Sequence, residues 1–167
     1  MHTCRHRRRG FTLIELLVVL AIAGILASLV YPSYAAHLIR AHRLEGKLAL
    51  IEAMQRQEMI YSRSNRYAAF SADSAGSGGA GGADGTGGAL PPGGWRWWSG
   101  ASAAASYYEL HAQPCAGGAD LARCVEVVAT PGTARVDARF RDPACGVLTL
   151  VSTGEQRAAS GDPACWP

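Results

Sequence analysis

The residues of this sequence that could do chemistry fall into three groups: a lone acid in an apolar run, a cluster of cysteines and a tryptophan-arginine segment. The acid is Glu15, the only charged residue between Phe11 and Tyr31. A carboxylate at the centre of a membrane helix costs about 2.5–3.5 kcal/mol, and somewhat less near the membrane surface. An acid at that cost usually has a partner and a function, so we expect Glu15 to have both.

Four of the five cysteines lie in the C-terminal third, namely Cys115, Cys124, Cys145 and Cys165. Zinc sites need ligands a few residues apart, which these spacings do not supply, so no metal site is predicted. Disulfide bonds in an oxidising compartment are the favoured interpretation. Four cysteines allow several pairings. We favour Cys115 with Cys124, across a turn between two strands, and Cys145 with Cys165, between the last strand and the tail.

The third group is the segment Trp95-Arg96-Trp97-Trp98. Indole rings beside a cation could stack on nucleic-acid bases, and they could also form a protein contact surface. We favour a simpler interpretation in which Trp95 and Trp97 share one strand face and pack on a helix. The surface roles stay open as alternatives.

Catalytic chemistry is not indicated by the rest of the sequence. No Ser/His/Asp, metal or phosphate-binding motif stands out, and His37, His42 and His111 are isolated. One glycine-rich stretch matches GxGxxG, but a dinucleotide-binding loop also needs a preceding strand and a helix that starts within it. We therefore predict neither an enzyme nor a bound cofactor.

The charge of the chain is concentrated at its start. Of the sixteen basic residues in this sequence of 167 residues, four lie in the first ten positions, Arg5 and Arg7 to Arg9. Without them, twelve basic residues face thirteen acidic ones, a net charge of −1. A general attraction to phosphate backbones is therefore not predicted, and nucleic-acid binding stays a disfavoured alternative.

The elements that position these groups begin with the apolar run. About 20 residues at 1.5 Å each cross a hydrocarbon core of about 30 Å. The basic cluster fixes the preceding end in the cytoplasm. A cleaved secretory signal has a similar start, but its apolar region is only about 7–15 residues long. Because a helical pattern continues from Tyr34 to Asn65, we favour a retained segment over a signal peptide or a plain anchor.

Beyond Pro32 the sequence predicts an amphipathic helix, a glycine-rich flexible loop over Ser71–Gly94 and then a small antiparallel sheet. The apolar residues expected to cover the sheet are Leu44, Leu48, Ile51, Met54 and Tyr61. The expected strands are Tyr107–Ala112, Cys124–Ala129, Ala134–Phe140 and Val147–Val151. Together these elements predict an α+β protein with a long N-terminal helix packed on a C-terminal sheet.

The start of the apolar run resembles a known signature. The string Arg9-Gly10-Phe11-Thr12-Leu13-Ile14-Glu15-Leu16 is similar to the prepilin motif of type IV pilins and type II secretion pseudopilins. The resemblance implies that prepilin peptidase cuts after Gly10 and methylates Phe11. It also implies that Glu15 pairs with the Phe11 amine of a neighbouring subunit during assembly. The helix is expected to bend or loosen over Gly24–Pro32.

The C-terminal part carries a second resemblance. Cys145-Gly146-Val147-Leu148-Thr149-Leu150, then Gly154, then Cys165-Trp166, resembles the disulfide-closed loop of PilE-type minor pilins. The implied fold is the type IV pilin fold, and the implied function is a structural, minor subunit of a type IV pilus serving twitching motility, adhesion or DNA uptake. A type II secretion pseudopilin and a DNA-binding receptor pilin remain the alternatives.

These expectations give a domain plan. Residues 1–10 form the leader, 11–32 a transmembrane and filament-core helix, 33–66 an amphipathic helix, 67–106 a loop region with the insertion, and 107–167 the sheet with its disulfide-closed tail. The expected partners are other pilin subunits, prepilin peptidase and an inner-membrane assembly platform. The chain is expected to be a single-pass inner-membrane protein with a periplasmic C-terminus before assembly, and part of an extracellular pilus afterwards.

Overall fold

The computed structural model describes residues 11–75, 94–117 and 120–166. The expected leader, and the central part of the expected flexible insertion at 76–93, lie outside the described residues. The chain divides into two compact units, residues 1–38 and 39–167. The predicted α+β class is confirmed, with one long helix near the N-terminus and an antiparallel sheet in the C-terminal half.

The helices are α1 (Leu13–Ser64) and the short α2 (Ala72–Ala75), with single 3-10 turns at Ala103–Ala105 and Pro163–Cys165. α1 ends where Asn65 adopts a left-handed conformation, with φ of 56°. The Asn65 N–H donates to the Tyr61 oxygen over 2.8 Å, which satisfies one of the last carbonyls of the helix. Within the described residues, no helix combines the length and apolarity that a membrane crossing requires.

The sheet has four strands in the order β1-β2-β3-β4, and every neighbouring pair is antiparallel. The strands are β1 (Tyr108–Pro114), β2 (Val125–Pro131), β3 (Leu148–Val151) and β4 (Gln156–Ala158). The first five residues of β2 are all buried, and Val125, Val127 and Ala129 among them belong to the hydrophobic core. Three of the four expected strands are therefore found within a residue or two of their expected bounds.

The expected strand Ala134–Phe140 is wrong, and β4 was not expected. The chain from Gly132 to Phe140 turns instead: the Val136 N–H donates to the Thr133 oxygen, and the Phe140 N–H donates to the Asp137 oxygen. Gly132 has φ of 64°, and a Cβ at this position would collide with the Phe140 carbonyl oxygen. Val136 and Phe140 are both buried, and each lies at the end of one of these two turns.

The face of α1 that covers the sheet also differs from the expectation. Leu44 and Leu48 are 56% and 59% exposed, and Ile51 is exposed as well, whereas Met54 and Tyr61 do pack against the core. The buried face consists of two small residues and three larger ones: Ala49 and Ala53, and Leu50, Gln57 and Ile60. Small residues let the helix approach closely, since a Cβ at Gly46 would lie 2.9 Å from Cδ2 of Tyr108.

The free edge of β1 is occupied by two short segments. Phe70 forms an antiparallel bridge with Ala112, and Trp98 forms one with Glu109. The Ala112 N–H donates to the Phe70 oxygen over 2.8 Å. The chain on either side of the glycine-rich insertion is therefore anchored to the same strand.

The described part of the chain contains two disulfide bonds, Cys115–Cys124 and Cys145–Cys165. This is the pairing that the sequence analysis favours. Cys145 and Cys165 are each 1% exposed and belong to the core, whereas Cys115 and Cys124 are partly exposed beside the turn from β1 to β2.

Candidate functional site

The N-terminal candidate site lies at the start of α1. Phe11 and Thr12 precede the helix, and the Thr12 oxygen accepts the N–H of Leu16 over 3.2 Å. The Glu15 N–H donates to Oγ1 of Thr12 over 3.3 Å, so Thr12 is the N-cap of α1. The sequence analysis overlooked Thr12, although a threonine three residues before a glutamate is the signature of a capping box.

The side chains around Glu15 face outward. Every described side chain from Phe11 to Ser28 is exposed, and Phe11 itself is 83% exposed. Apolar surface on this scale marks a place where lipid or another protein binds. Nothing lies within 4 Å of a Cβ built at Gly24, so packing in the chain does not require a glycine there. Gly10 and the side chain of Pro32 lie outside the described residues.

The tryptophan-arginine segment belongs to the second unit and packs within it. Trp95 is only 5% exposed and stacks on Phe70, with ring centroids 4.4 Å apart. Trp95 therefore cannot serve as a surface contact: its burial agrees with the favoured interpretation of a packed Trp95, and the alternative surface role is wrong for this residue. Trp97 is partly buried against the core, and its ring meets Trp98 edge-on at 5.2 Å. Only Trp97 and Trp98 keep part of their rings available at the surface.

Arg96 is paired with α1. Its Nη2 lies 2.6 Å from Oε2 of Glu52, and the other oxygen of Glu52 accepts from Arg56 over 2.7 Å. One carboxylate thus binds two guanidinium groups on a partly exposed surface. Such pairs stabilise a protein by at most about 1 kcal/mol each, but they fix the position of the segment and reduce its positive potential.

A buried ionic network joins α1 to the segment before β3. The Asp142 carboxylate accepts from Nε and Nη2 of Arg43, over 2.7 and 2.6 Å, and from the hydroxyl of Tyr108 over 2.7 Å. The Cys145 N–H donates to the same carboxylate over 3.2 Å. This network has no local signal in the sequence, because its members are up to 99 residues apart.

The network shifts the pKa values of its members. Burial disfavours the ionised form of Asp142, but hydrogen bonds from Arg43, Tyr108 and the Cys145 N–H outweigh burial and hold its pKa below the ordinary value. The pKa of Tyr108 is raised far above its usual range, first by burial and then by its hydrogen bond to Asp142. The pKa of Arg43 is raised chiefly by its hydrogen bond to Asp142.

A second buried polar contact holds the chain just after α1. Gln57 is fully buried; its amide nitrogen donates to the Ala68 oxygen over 2.6 Å, and its amide oxygen accepts the Ala68 N–H over 2.9 Å. Both backbone groups of Ala68 are thereby satisfied away from water. Within the described ranges, no group of three or more His, Cys, Asp or Glu side chains could hold a metal ion.

Two protein families match this chain, one over its N-terminal segment and one over most of the remainder. Residues 5–31 match the prokaryotic N-terminal methylation motif, and residues 32–149 match the family described as "Type IV minor pilin ComP, DNA uptake sequence receptor". Among solved structures, a type IV pilin from Shewanella oneidensis is similar, with a TM-score of 0.42 and 21% identity over 77% of this chain and 98% of that one.

Two curated relatives are similar over the N-terminal part. The type IV major pilin protein PilA of Myxococcus xanthus (strain DK1622) is 40% identical over 65 residues, which cover 39% of this chain and 30% of that protein. The type II secretion system core protein G of Pectobacterium carotovorum subsp. carotovorum is 37% identical over 62 residues, 37% of this chain and 40% of that protein. The matches therefore span less than half of either relative. The ComP match, by contrast, spans more than half of this chain, and the chain belongs to that family of type IV minor pilins.

Proposed function

We propose that this pilin is cut by prepilin peptidase after Gly10, methylated at Phe11, and inserted into a type IV pilus through α1, and that it catalyses no reaction itself. The exposed apolar surface from Phe11 to Ser28 carries the proposal, because a subunit with this surface needs lipid or other subunits around it. The methylation motif over residues 5–31 supports the processing step.

The exposed face of α1 in the second unit supports assembly through the same helix. Leu44, Leu48, Ile51 and Met59 recur at helical spacing and are all exposed. The core side of the helix carries Gly46, Ala49 and Ala53 instead. Because these four large apolar side chains point away from the core, this part of α1 is suited to pack against an α1 helix of a neighbouring subunit.

We assign Glu15 to the pairing step of assembly. After cleavage, the new amine of Phe11 would carry a positive charge, and a carboxylate and an ammonium attract each other far more strongly in an apolar filament core than in water. Each group left unpaired in that core would instead keep its full desolvation cost. The pairing would thus set the axial register between subunits.

We place the precursor in the inner membrane as a single-pass protein with a periplasmic C-terminus, and the assembled subunit in the extracellular pilus. The two disulfide bonds support a periplasmic location for the second unit, since such bonds persist in oxidising compartments. The further partners in this proposal are prepilin peptidase, the inner-membrane assembly platform and other pilin subunits.

The processing and assembly steps can be tested separately in cells. We expect Glu15→Ala to be cleaved normally but excluded from filaments, because it removes the negative charge that pairs with the amine of Phe11. Gly10→Val should instead accumulate as an uncut precursor. Mass spectrometry of sheared filaments and of membranes reports the mature N-terminus, its methylation and the abundance of each variant. Normal incorporation of Glu15→Ala, or a mature wild-type chain that starts elsewhere, would refute the proposal.

DNA reception is a second candidate function, favoured by the match of residues 32–149 to a family described as a DNA uptake sequence receptor. Arg96 is already paired with Glu52, and the chain without its leader carries a net charge of −1. Sequence-specific binding of DNA by this chain would therefore use few phosphate contacts. Fluorescence anisotropy of the detergent-solubilised chain with labelled duplex DNA tests this function. Absence of binding at low salt would exclude DNA reception.

Deletion of the gene tests the remaining alternative. A defect in protein secretion without a defect in piliation would favour a role as a type II secretion pseudopilin.

A further inference from the structure

The hydroxyl of Thr12 satisfies a backbone group that the helix itself leaves unpaired. The first N–H groups of an α-helix have no acceptor within the helix. In this chain the N–H of Glu15 donates to Oγ1 of Thr12 over 3.3 Å, while the Thr12 carbonyl takes the first helical bond, from Leu16, over 3.2 Å. Both acceptors of Thr12 therefore hold the turn that carries Glu15.

The surroundings of this cap make it more important than a cap in water. The neighbouring side chains, among them Phe11, Leu13 and Ile14, are apolar and exposed. We therefore expect this turn to lie in lipid or in a protein interface. A backbone N–H without an acceptor costs several kcal/mol in hydrocarbon, where no water replaces the lost bond. Loss of the cap would thus loosen the first turn where Glu15 has to be held in place.

The cap also separates the two groups that assembly has to join. Because α1 begins at Leu13, the backbone nitrogen of Phe11 lies outside the helix, whereas Glu15 lies within its first turn. The Glu15 carboxylate is therefore carried by helical backbone, whereas the Phe11 nitrogen precedes the helix. An ion pair between subunits gains from this arrangement, since less conformational entropy is lost when one partner is already fixed.

We propose that Thr12 is a positioning residue for Glu15: by capping α1, it fixes the turn from which the Glu15 carboxylate meets the neighbouring subunit. The inference rests on the proposed pairing of Glu15 with the Phe11 amine. Thr12 itself makes no contact with the neighbour in this scheme. Any side chain that accepts the Glu15 N–H, such as serine or asparagine, should therefore replace it.

Four variants of the full chain, expressed in cells that lack the native copy, test the proposal. Thr12→Val keeps the shape but removes the acceptor, and Thr12→Ser and Thr12→Asn keep a capping oxygen. Ser28→Ala is a matched control, because the Ser28 hydroxyl bonds the Ile25 oxygen inside the same helix and caps nothing. We expect all four to be cleaved, and Thr12→Val alone to enter filaments less than wild type, by at least the roughly fivefold effect of a typical cap in water.

Hydrogen exchange of the Glu15 amide in detergent-solubilised chains gives a second measurement. The exchange rate should rise several-fold in Thr12→Val and stay unchanged in Thr12→Ser and Ser28→Ala. Wild-type incorporation of Thr12→Val would overturn the proposal, and so would failure of Thr12→Asn alongside success of Thr12→Ser, which would indicate a hydroxyl-specific contact. If Glu15→Ala itself enters filaments normally, the proposed pairing fails; if Glu15→Ala is excluded and Thr12→Val is not, only the positioning role fails.

Discussion

Asp142 illustrates how a single residue can tie distant parts of this small domain together. Its carboxylate is inaccessible to solvent and receives hydrogen bonds from α1, from β1 and from the backbone of Cys145. A buried charge is tolerated only when donors of this kind replace its hydration. The disulfide cysteine Cys145 is thus positioned by the same carboxylate that holds Arg43.

We expect Asp142→Asn to lower the free energy of unfolding by about 3–5 kcal/mol, because it leaves Arg43 buried without its counter-charge. Tyr108→Phe is the matched control, since it removes one hydrogen bond to the carboxylate and leaves the ion pair intact, and its loss should be smaller. Urea unfolding of the solubilised chain, followed by tryptophan fluorescence, compares the two. Equal losses would show that the ion pair adds nothing beyond the tyrosine contact.

The same substitution should change the response to acid. The pKa of Asp142 is lower in the folded chain than its unfolded value of about 3.9, so the stability it contributes is present above about pH 4 and is lost as the pH falls through the folded value. Wild type should therefore lose stability more steeply than Asp142→Asn below about pH 4. Parallel curves for the two proteins would contradict this assignment.

At the scale of elements, α1 has one face for its own sheet and another that its own fold leaves exposed. Leu50 belongs to the first face and is fully buried, and Leu48 belongs to the second. Leu48→Gln should leave the free energy of unfolding unchanged within about 0.5 kcal/mol and still reduce filament incorporation. Leu50→Ala, the matched control, should destabilise the chain by about 2–5 kcal/mol. Destabilisation by Leu48→Gln would show that its side chain supports the fold rather than assembly.

The choice between these faces shows where sequence reasoning succeeded and where it stopped. The length of α1, the α+β class and three strands follow from local patterns, because periodicity and turn residues are local properties. The orientation of α1 does not follow, since large apolar side chains predicted a core face that Ala49 and Ala53 form instead. A helix with apolar residues on two sides cannot be oriented without knowledge of its partners.

The candidate site divides in the same way. The position of Glu15 in an apolar run is readable from sequence, and its capping partner Thr12 is readable in principle from spacing. The burial of Trp95 on Phe70 and the capture of Arg96 by Glu52 depend on contacts between distant segments. Such contacts have no local signal, so the sequence predicted that Trp95 is packed but not that Phe70 and Glu52 are the partners of this segment.

At the scale of the whole molecule, the disulfide bonds compensate for a small core. Cys145 and Cys165 close a loop of 20 residues and are themselves buried, whereas Cys115 and Cys124 close a loop of nine near the surface. Loops of this size stabilise a fold by about 3 kcal/mol through restriction of the unfolded chain. The buried bond adds the packing of its own sulfur atoms to that effect.

We expect replacement of both Cys145 and Cys165 by alanine to lower the melting temperature more than the same replacement of Cys115 and Cys124. The buried pair should also resist reduction longer, because a thiol reagent has to reach it through the core. Thermal unfolding of the two double variants, with thiol mapping after graded reduction, measures both effects. A larger loss from the Cys115 and Cys124 variant would contradict the account.

The way the sheet ends has a consequence for a pilin that meets other copies of itself. Backbone groups of β1 are engaged by Phe70 and by the chain around Trp98, while β4 has only three residues and its Arg157 carbonyl accepts the indole N–H of Trp166. An open edge would invite neighbouring sheets to join as in amyloid. Because backbone groups at both edges of the sheet are engaged in this way, the sheets of neighbouring copies have few groups left to pair with. This favours the proposed assembly through α1 over aggregation through the sheet.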